Sequence, residues 1–183
     1  MARLARLVIP GCAHYVVQRA AAGKGIFFEP ADYEKYLALL RSACAANDVV
    51  IAAWCLSPDC IHLVLTPTTD EGLARAMGET HRLFARHRGK GSSALWHGRF
   101  KSCPLDRALV SSCIARIERS APEASWPWVS ASGQPVAQAS ELAMIEIAIR
   151  NGRPAGSPEF VARIEYETGR RLGPRRRGRP RKW

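Results

Sequence analysis

Two apolar runs, Val49–Leu56 and Cys60–Leu65, flank the tripeptide Ser57-Pro58-Asp59. Both runs are too short for an ordinary helix, and both carry β-branched or aromatic residues. Ser-Pro-Asp is turn chemistry. The pattern predicts a tight hairpin in the middle of the chain, closed by Pro67, with its first strand buried. Alternation along the return strand puts Cys60, His62 and Val64 on one face. Ile61, Leu63 and Leu65 take the other, which is the natural core face. Cys60 and His62 are thus side by side, about 7 Å apart at their Cα atoms, and both can lean toward one ion. Taken alone, a Cys-x-His pair on a strand is more often packing than a metal site.

The remaining segments supply cover for this hairpin. Cys12–Arg19 reads as a strand after the Pro10-Gly11 break. Pro30 suits the first position of a helix over 30–46, with Tyr33, Tyr36, Leu37, Leu40 and Cys44 at helical spacing. A second helix is expected over 70–88, apolar along Leu73, Met77 and Phe84 and carrying Arg75, Arg82, Arg86 and Arg88 elsewhere. Arg99–Leu105 reads as a fourth strand. Asp106 is a plausible N-cap for a helix reaching Ser120, with Leu109, Cys113 and Ile117 at helical spacing. Trp126-Pro127-Trp128 reads as an aromatic plug. Two further helices are expected, from Ser140 to about 150 and from Ser157-Pro158-Glu159 to Gly169. This order predicts an α+β, ferredoxin-like fold: a mostly antiparallel sheet with helices on it, then C-terminal helices and a basic tail. The organisation read from it is a domain over 1–131, a helical extension over 132–169 and a tail over 170–183.

The length of 183 residues fits one domain plus an appendage. No apolar stretch approaches the roughly 18 residues of a membrane span, so no membrane partner is expected. The run Leu7-Val8-Ile9 stops at Pro10, too short for a signal peptide, which points to a cytoplasmic protein. The six cysteines (12, 44, 55, 60, 103 and 113) form no CxxC pair. They read as reduced and mostly buried, without zinc-knuckle spacing. The net charge of +11 is concentrated: 170–183 holds eight Arg or Lys and no acid. Such a tail attracts polyanions, and nucleic acid is the commonest in a cytoplasm.

The segment "SPDCIHLVL" resembles the HUH signature (His, hydrophobe, His) of the insertion-sequence 200-like transposases. Within them it is most similar to the REP-associated tyrosine transposases, whose strand typically begins "MPNHVHLLL". The resemblance extends over nearly the whole chain. It takes in "ARLARLVIPGCAHYVVQR", "ADYEKYLALLRSACAANDVVIAAWCL", "LWHGRFKSCPLD", "IERSAPEASWPWVSA" and the ending "SPEFVARIEYETGRRLGPRRRGRPRKW". It implies that two histidines and a third polar residue hold magnesium or manganese, which polarises a scissile phosphate. A tyrosine on the helix after the fourth strand attacks the phosphorus and keeps the DNA end. The implied substrate is single-stranded DNA beside a folded hairpin.

This chain departs from that pattern at the positions that carry the chemistry. Cys60 stands for the first histidine, while His62 is kept. Matching "IERSA" to the family's "IERNP" puts Arg116 at the tyrosine position and Ser120 at the polar ligand position. A helical turn separates Arg116 from Ser120, so both are expected to face the site. A thiolate at Cys60 favours soft metals over magnesium or manganese, so the site is metal-bearing in the family and open to having no metal here. Arg116 stays protonated and cannot be a nucleophile, but it can grip a phosphate. The reading is therefore a DNA-binding protein with impaired cleavage. The alternatives are a working transposase with a displaced nucleophile, Cys113 or Tyr166, and a zinc- or redox-responsive regulator using Cys60 and His62.

The residues read for DNA are Arg19 and Arg116, Arg99 and Lys101 on the fourth strand, and Arg175, Arg176, Arg177, Arg179, Arg181 and Lys182 in the tail. Trp96 and His97 are candidates for stacking on an unpaired base. "RRRGRPRK" looks like an AT-hook, whose narrow extended core enters the minor groove of A·T-rich DNA. Removing 170–183 is expected to weaken DNA binding across sequences. The salt slope should flatten by about 0.7–0.9 for each phosphate that is no longer neutralised. An unchanged slope in a salt titration would make the tail a bystander.

Overall fold

The computed structural model describes residues 6–89, 95–123, 126–130 and 132–172. The arginine-rich stretch 175–182, with its AT-hook-like core, lies outside the described residues.

Among the described residues the strands and α-helices follow in the order β1 (His14–Arg19), α1 (Pro30–Ala46), β2 (Val49–Ser57), β3 (Cys60–Pro67), α2 (Gly72–His87), β4 (Lys101–Pro104), α3 (Val110–Glu118), α4 (Ala139–Asn151) and α5 (Pro158–Thr168). The two apolar runs pair as the hairpin β2–β3, turning through Pro58 and Asp59, with a register irregularity between Ile51 and Ala53. The sheet order is β2-β3-β1-β4, with every pair antiparallel. That is the ferredoxin-like arrangement expected of βαββαβ connectivity. One row across the sheet reads Lys101, Val17, His62, Cys55.

Both faces of the sheet are covered. Ile61, Leu63 and Leu65 of β3 pack against Tyr36, Leu37 and Leu40 of α1 and Leu73, Met77 and Phe84 of α2. On the other face Tyr15, Cys55, Val64 and Cys103 meet Cys113 and Ile117 of α3 and Ile145, Ala148 and Ile149 of α4. Asp32, buried in the first turn of α1, accepts from Arg88 at 2.9 Å and from the Phe28 amide at 2.9 Å, tying the loop before α1 to the end of α2. The tryptophan plug seals the outer edge of β2. Trp126 Nε1 donates to Leu56 O at 2.7 Å, the Leu56 amide donates to Trp128 O at 2.9 Å, and the Ser130 amide donates to Trp54 O at 2.8 Å. Trp128 stacks on Tyr33 at 5.0 Å.

Several boundaries differ from the sequence reading, each for a local reason. The fourth strand begins at Lys101, so Arg99 precedes it and does not alternate with Lys101 along one strand. The third helix opens as a 3-10 turn, Arg107–Leu109, because the Asp106 carboxylate accepts from the Ala108 amide and tightens the first turn. α4 starts before Ser140, on a capping box between Gln138 and Glu141. Its C-cap is Gly152 at φ 63°, a left-handed residue that turns the chain back along β4. The chain stays packed past Gly169: Leu172 is buried with Leu7, Ile9, Phe160 and Ile164. A tail truncation is therefore cleaner after Leu172 than before Arg170. No helix among the described residues is long and apolar enough to cross a membrane.

Gly156 sits where α5 joins β4. A Cβ there would lie 2.5 Å from Asp106 Cβ and 2.6 Å from Phe160 Cδ1, while the Asp106 carboxylate accepts from the Ser157 amide at 3.2 Å. Gly156→Ala is expected to cost about 1–3 kcal/mol by overpacking, read as a lower urea midpoint. An unchanged midpoint would show that this junction relaxes freely.

Candidate functional site

A recess of about 190 Å³ opens between the sheet and the helices α3 and α4. β1 contributes Tyr15, Val17 and Arg19, β3 contributes His62, and β4 contributes Lys101. Arg116 comes from α3, and Glu146, Ile149 and Arg150 from α4. The strand residues meet there because alternation and register agree. Tyr15, Val17 and Arg19 share a face of β1, and Val17 pairs with both His62 and Lys101.

His62 is engaged at both ring nitrogens. Its Nδ1 lies 2.7 Å from the Tyr15 hydroxyl and its Nε2 lies 3.2 Å from Cys60 Sγ. The Tyr15 and His62 rings are nearly parallel, 6.0 Å apart. Arg116 lies close enough to the Tyr15 phenol to draw its pKa down.

Burial keeps this chain of groups neutral. Desolvation, aided by the charges of Arg116 and Arg19, lowers the His62 pKa to about 4. Desolvation also raises Cys60 to about 11, so its thiol is protonated at neutral pH. The Tyr15 phenol is pushed up as well, by desolvation first, with Arg116 pulling the other way. The fixed charge in the recess is therefore mostly positive. Glu146 is held by Arg150 at 3.3 Å. Arg19, Lys101 and Arg116 form no ion pair with any described residue. The Nε of Arg116 is buried without a hydrogen-bond partner among the described residues.

Ser120 does not face this site. α3 ends at Glu118 and Ser120 lies in the turn beyond it, so the one-turn spacing no longer governs its direction. Its hydroxyl donates to Arg116 O at 3.0 Å, and its carbonyl accepts from the Ser57 hydroxyl at 3.3 Å. Arg99 lines a neighbouring recess together with Lys101. Cys113 is fully buried in the core, with its thiol pKa raised far above the usual range by desolvation. Tyr166 is 91% exposed on α5 and does not line the recess. Trp96 is half-buried against the core, stacked on His81 at 4.2 Å.

No family model matches the chain, and no curated protein matches it. Among solved structures, a REP-associated tyrosine transposase bound to a REP hairpin aligns with TM-score 0.57 and 16% identity, over 70% of this chain and 82% of that one. This chain has the fold of a REP-associated tyrosine transposase. A provisionally assigned transposase from Deinococcus radiodurans R1 aligns with TM-score 0.43 and 16% identity, over 64% of this chain and 97% of that one.

The divalent ion that the transposase resemblance implies does not fit the residues present. Both nitrogens of His62 are bonded within the protein, Cys60 is a soft ligand ill-suited to magnesium or manganese, and Ser120 does not line the recess. Among the described residues, no group of three His, Cys, Asp or Glu side chains is arranged to hold a metal. Cations without acid partners surround the spot, which opposes a second positive charge and favours an anion.

Sequence reasoning missed Tyr15 and the α4 wall. A signal for Tyr15 was present: stepping back from Arg19 by twos reaches it. For α4 there was none, since Glu146 and Arg150 read as an ordinary solvated i,i+4 pair.

Three of the five histidines are held neutral, His14 and His62 at about 4 and His81 at about 3, each chiefly by desolvation. In the unfolded chain they titrate near 6.5. Between that value and about 4 the unfolded state binds protons that the folded state refuses, so stability is complete above pH 6.5 and falls as the pH drops. Urea unfolding at a series of pH values should lose on the order of a few kcal/mol by pH 5. A midpoint constant from pH 7 to 5 would refute this.

Proposed function

We propose that this chain is a DNA-binding protein built on the tyrosine-transposase fold. It grips a backbone phosphate of single-stranded DNA beside a hairpin and no longer cuts it by the metal-and-tyrosine scheme. One observation carries the reading. Arg116, at the position where the resemblance puts the nucleophile, is a permanent cation whose Nε has no partner and which pairs with no acid among the described residues. A guanidinium cannot attack phosphorus, but its planar fork suits two phosphate oxygens. Arg19 and Lys101 add charge, and the neutral His62 and Tyr15 add no negative charge that would repel the anion. A solved protein of this fold is a transposase bound to a REP hairpin, which supports DNA as the partner. The reading needs no divalent metal in the recess. It places the protein with nucleic acid in the cytoplasm, and the arginine-rich stretch 175–182 adds AT-hook-like minor-groove contacts.

Of the displaced nucleophiles, Cys113 is sealed in the core and Tyr166 is remote from the recess. Tyr15 is better placed, with its hydroxyl on an imidazole that could take its proton. Its burial and raised pKa weigh against it.

The test incubates the full chain with a labelled single-stranded hairpin DNA and manganese. The expected product is a salt-sensitive complex that a denaturing gel dissolves. Arg116→Ala should weaken it about tenfold or more, as loss of a charge-assisted hydrogen bond implies. A protein–DNA adduct surviving denaturation, mapped to Tyr15 or elsewhere, would overturn the proposal.

A further inference from the structure

A second recess, of about 300 Å³, lies over the outer edge of β4. Arg6, Arg99, Lys101, Arg150 and Arg170 line it with no acid among its described lining residues, and Arg150 pairs with Glu146 outside it. Lys101, Arg150 and Ile149 also line the first recess, so the two join along one wall.

The second recess is built, not a chance gathering of surface arginines. The Arg6 guanidinium lies 3.6 Å over the Phe100 ring and donates to Phe100 O at 3.3 Å. Packing thereby fixes its charge in place. Burial, and then the charge of Arg99, lower the Arg6 pKa, so the two cations are close enough to repel. Arg6 and Arg99 pair with no acid among the described residues, and like charges held together in that way favour binding of an anion. Ser102 is in the same lining, and Phe100 beneath Arg6 is buried, so the recess has a packed floor under its cations.

We infer that this recess is a second phosphate subsite, and that single-stranded DNA leaves the Arg116 recess past Lys101 and crosses the β4 edge between Arg6 and Arg99. The inference rests on the proposed function, because it takes the polyanion in the first recess to be DNA. Lys101, shared by both recesses, is the bridge that keeps successive phosphates on one track. Phosphate contacts of this kind set register and carry no base sequence. The β4 edge therefore contributes affinity and direction of exit, not specificity.

The experiment measures binding of fluorescein-labelled single-stranded DNA to the full chain across a salt series. The variants are Arg99→Ala, Arg99→Lys, Arg116→Ala and, as a control, Lys35→Ala. Arg99 is exposed, so its replacement leaves the core intact, and Lys35 is exposed on α1, across the sheet. Arg99→Ala should lower affinity several-fold and reduce the salt slope by about 0.7, the single-strand value for one phosphate. Arg99→Lys should keep the slope, and Lys35→Ala should change neither quantity. If Arg116→Ala weakens binding while Arg99→Ala does not, the second subsite is refuted and the first reading stands. If Arg99→Ala acts alone, the Arg116 reading falls, and with it the path from the first recess. If neither acts, both fail. If Arg99→Lys loses as much as Arg99→Ala, Arg99 acts by shape instead of charge, and the subsite is refuted.

Discussion

His62 stands on a central strand of a sheet whose two faces are both covered. The character of the site follows from that placement. An imidazole so enclosed cannot easily carry charge, so it is neutral and must spend both nitrogens on local partners. Tyr15 reaches it from β1, and Cys60 from its own strand. Tyr15 in turn meets Arg116 on α3. The polar line through the α3 side of the sheet is thus a consequence of burying one histidine between paired strands.

The same burial separates the charges from the neutral groups. Tyr15 and Cys60 lie deep and uncharged, His62 is half-buried and neutral, and Arg19, Lys101 and Arg150 line the rim, with Arg116 half-buried between. A site of this kind repels a divalent cation and has few acidic groups to hold one. It suits a phosphate, whose oxygens accept from guanidinium and ammonium donors without a metal as intermediary.

Much of the fold was legible because its period is local. The hairpin, the face shared by Cys60, His62 and Val64, the first two helices and the Asp106 and Ser157 caps all depend on residues within a turn or a strand of one another. The errors fall where a distant contact decides. Arg99 was read into β4, but pairing with β1 begins only at Lys101. Ser120 was read onto the site because one helical turn separates it from Arg116. In the structure the helix stops first, and Ser57 on β2 takes the Ser120 carbonyl. Leu172 was read into a solvated tail because basic residues surround it, yet it packs beside Leu7 and Ile9 from the other end of the chain.

The hairpin, the α+β order, the strand that bears His62 and the positive charge can all be read from short stretches, since alternation, helical spacing and residue chemistry are local. Which of those residues share a recess depends on the packed fold. Tyr15 faces His62 because β1 pairs with β3 in one register. Arg150 lies beside Lys101 because α4 packs across the sheet. Registers and helix docking are set by burial between residues far apart in the chain, and no local pattern encodes that.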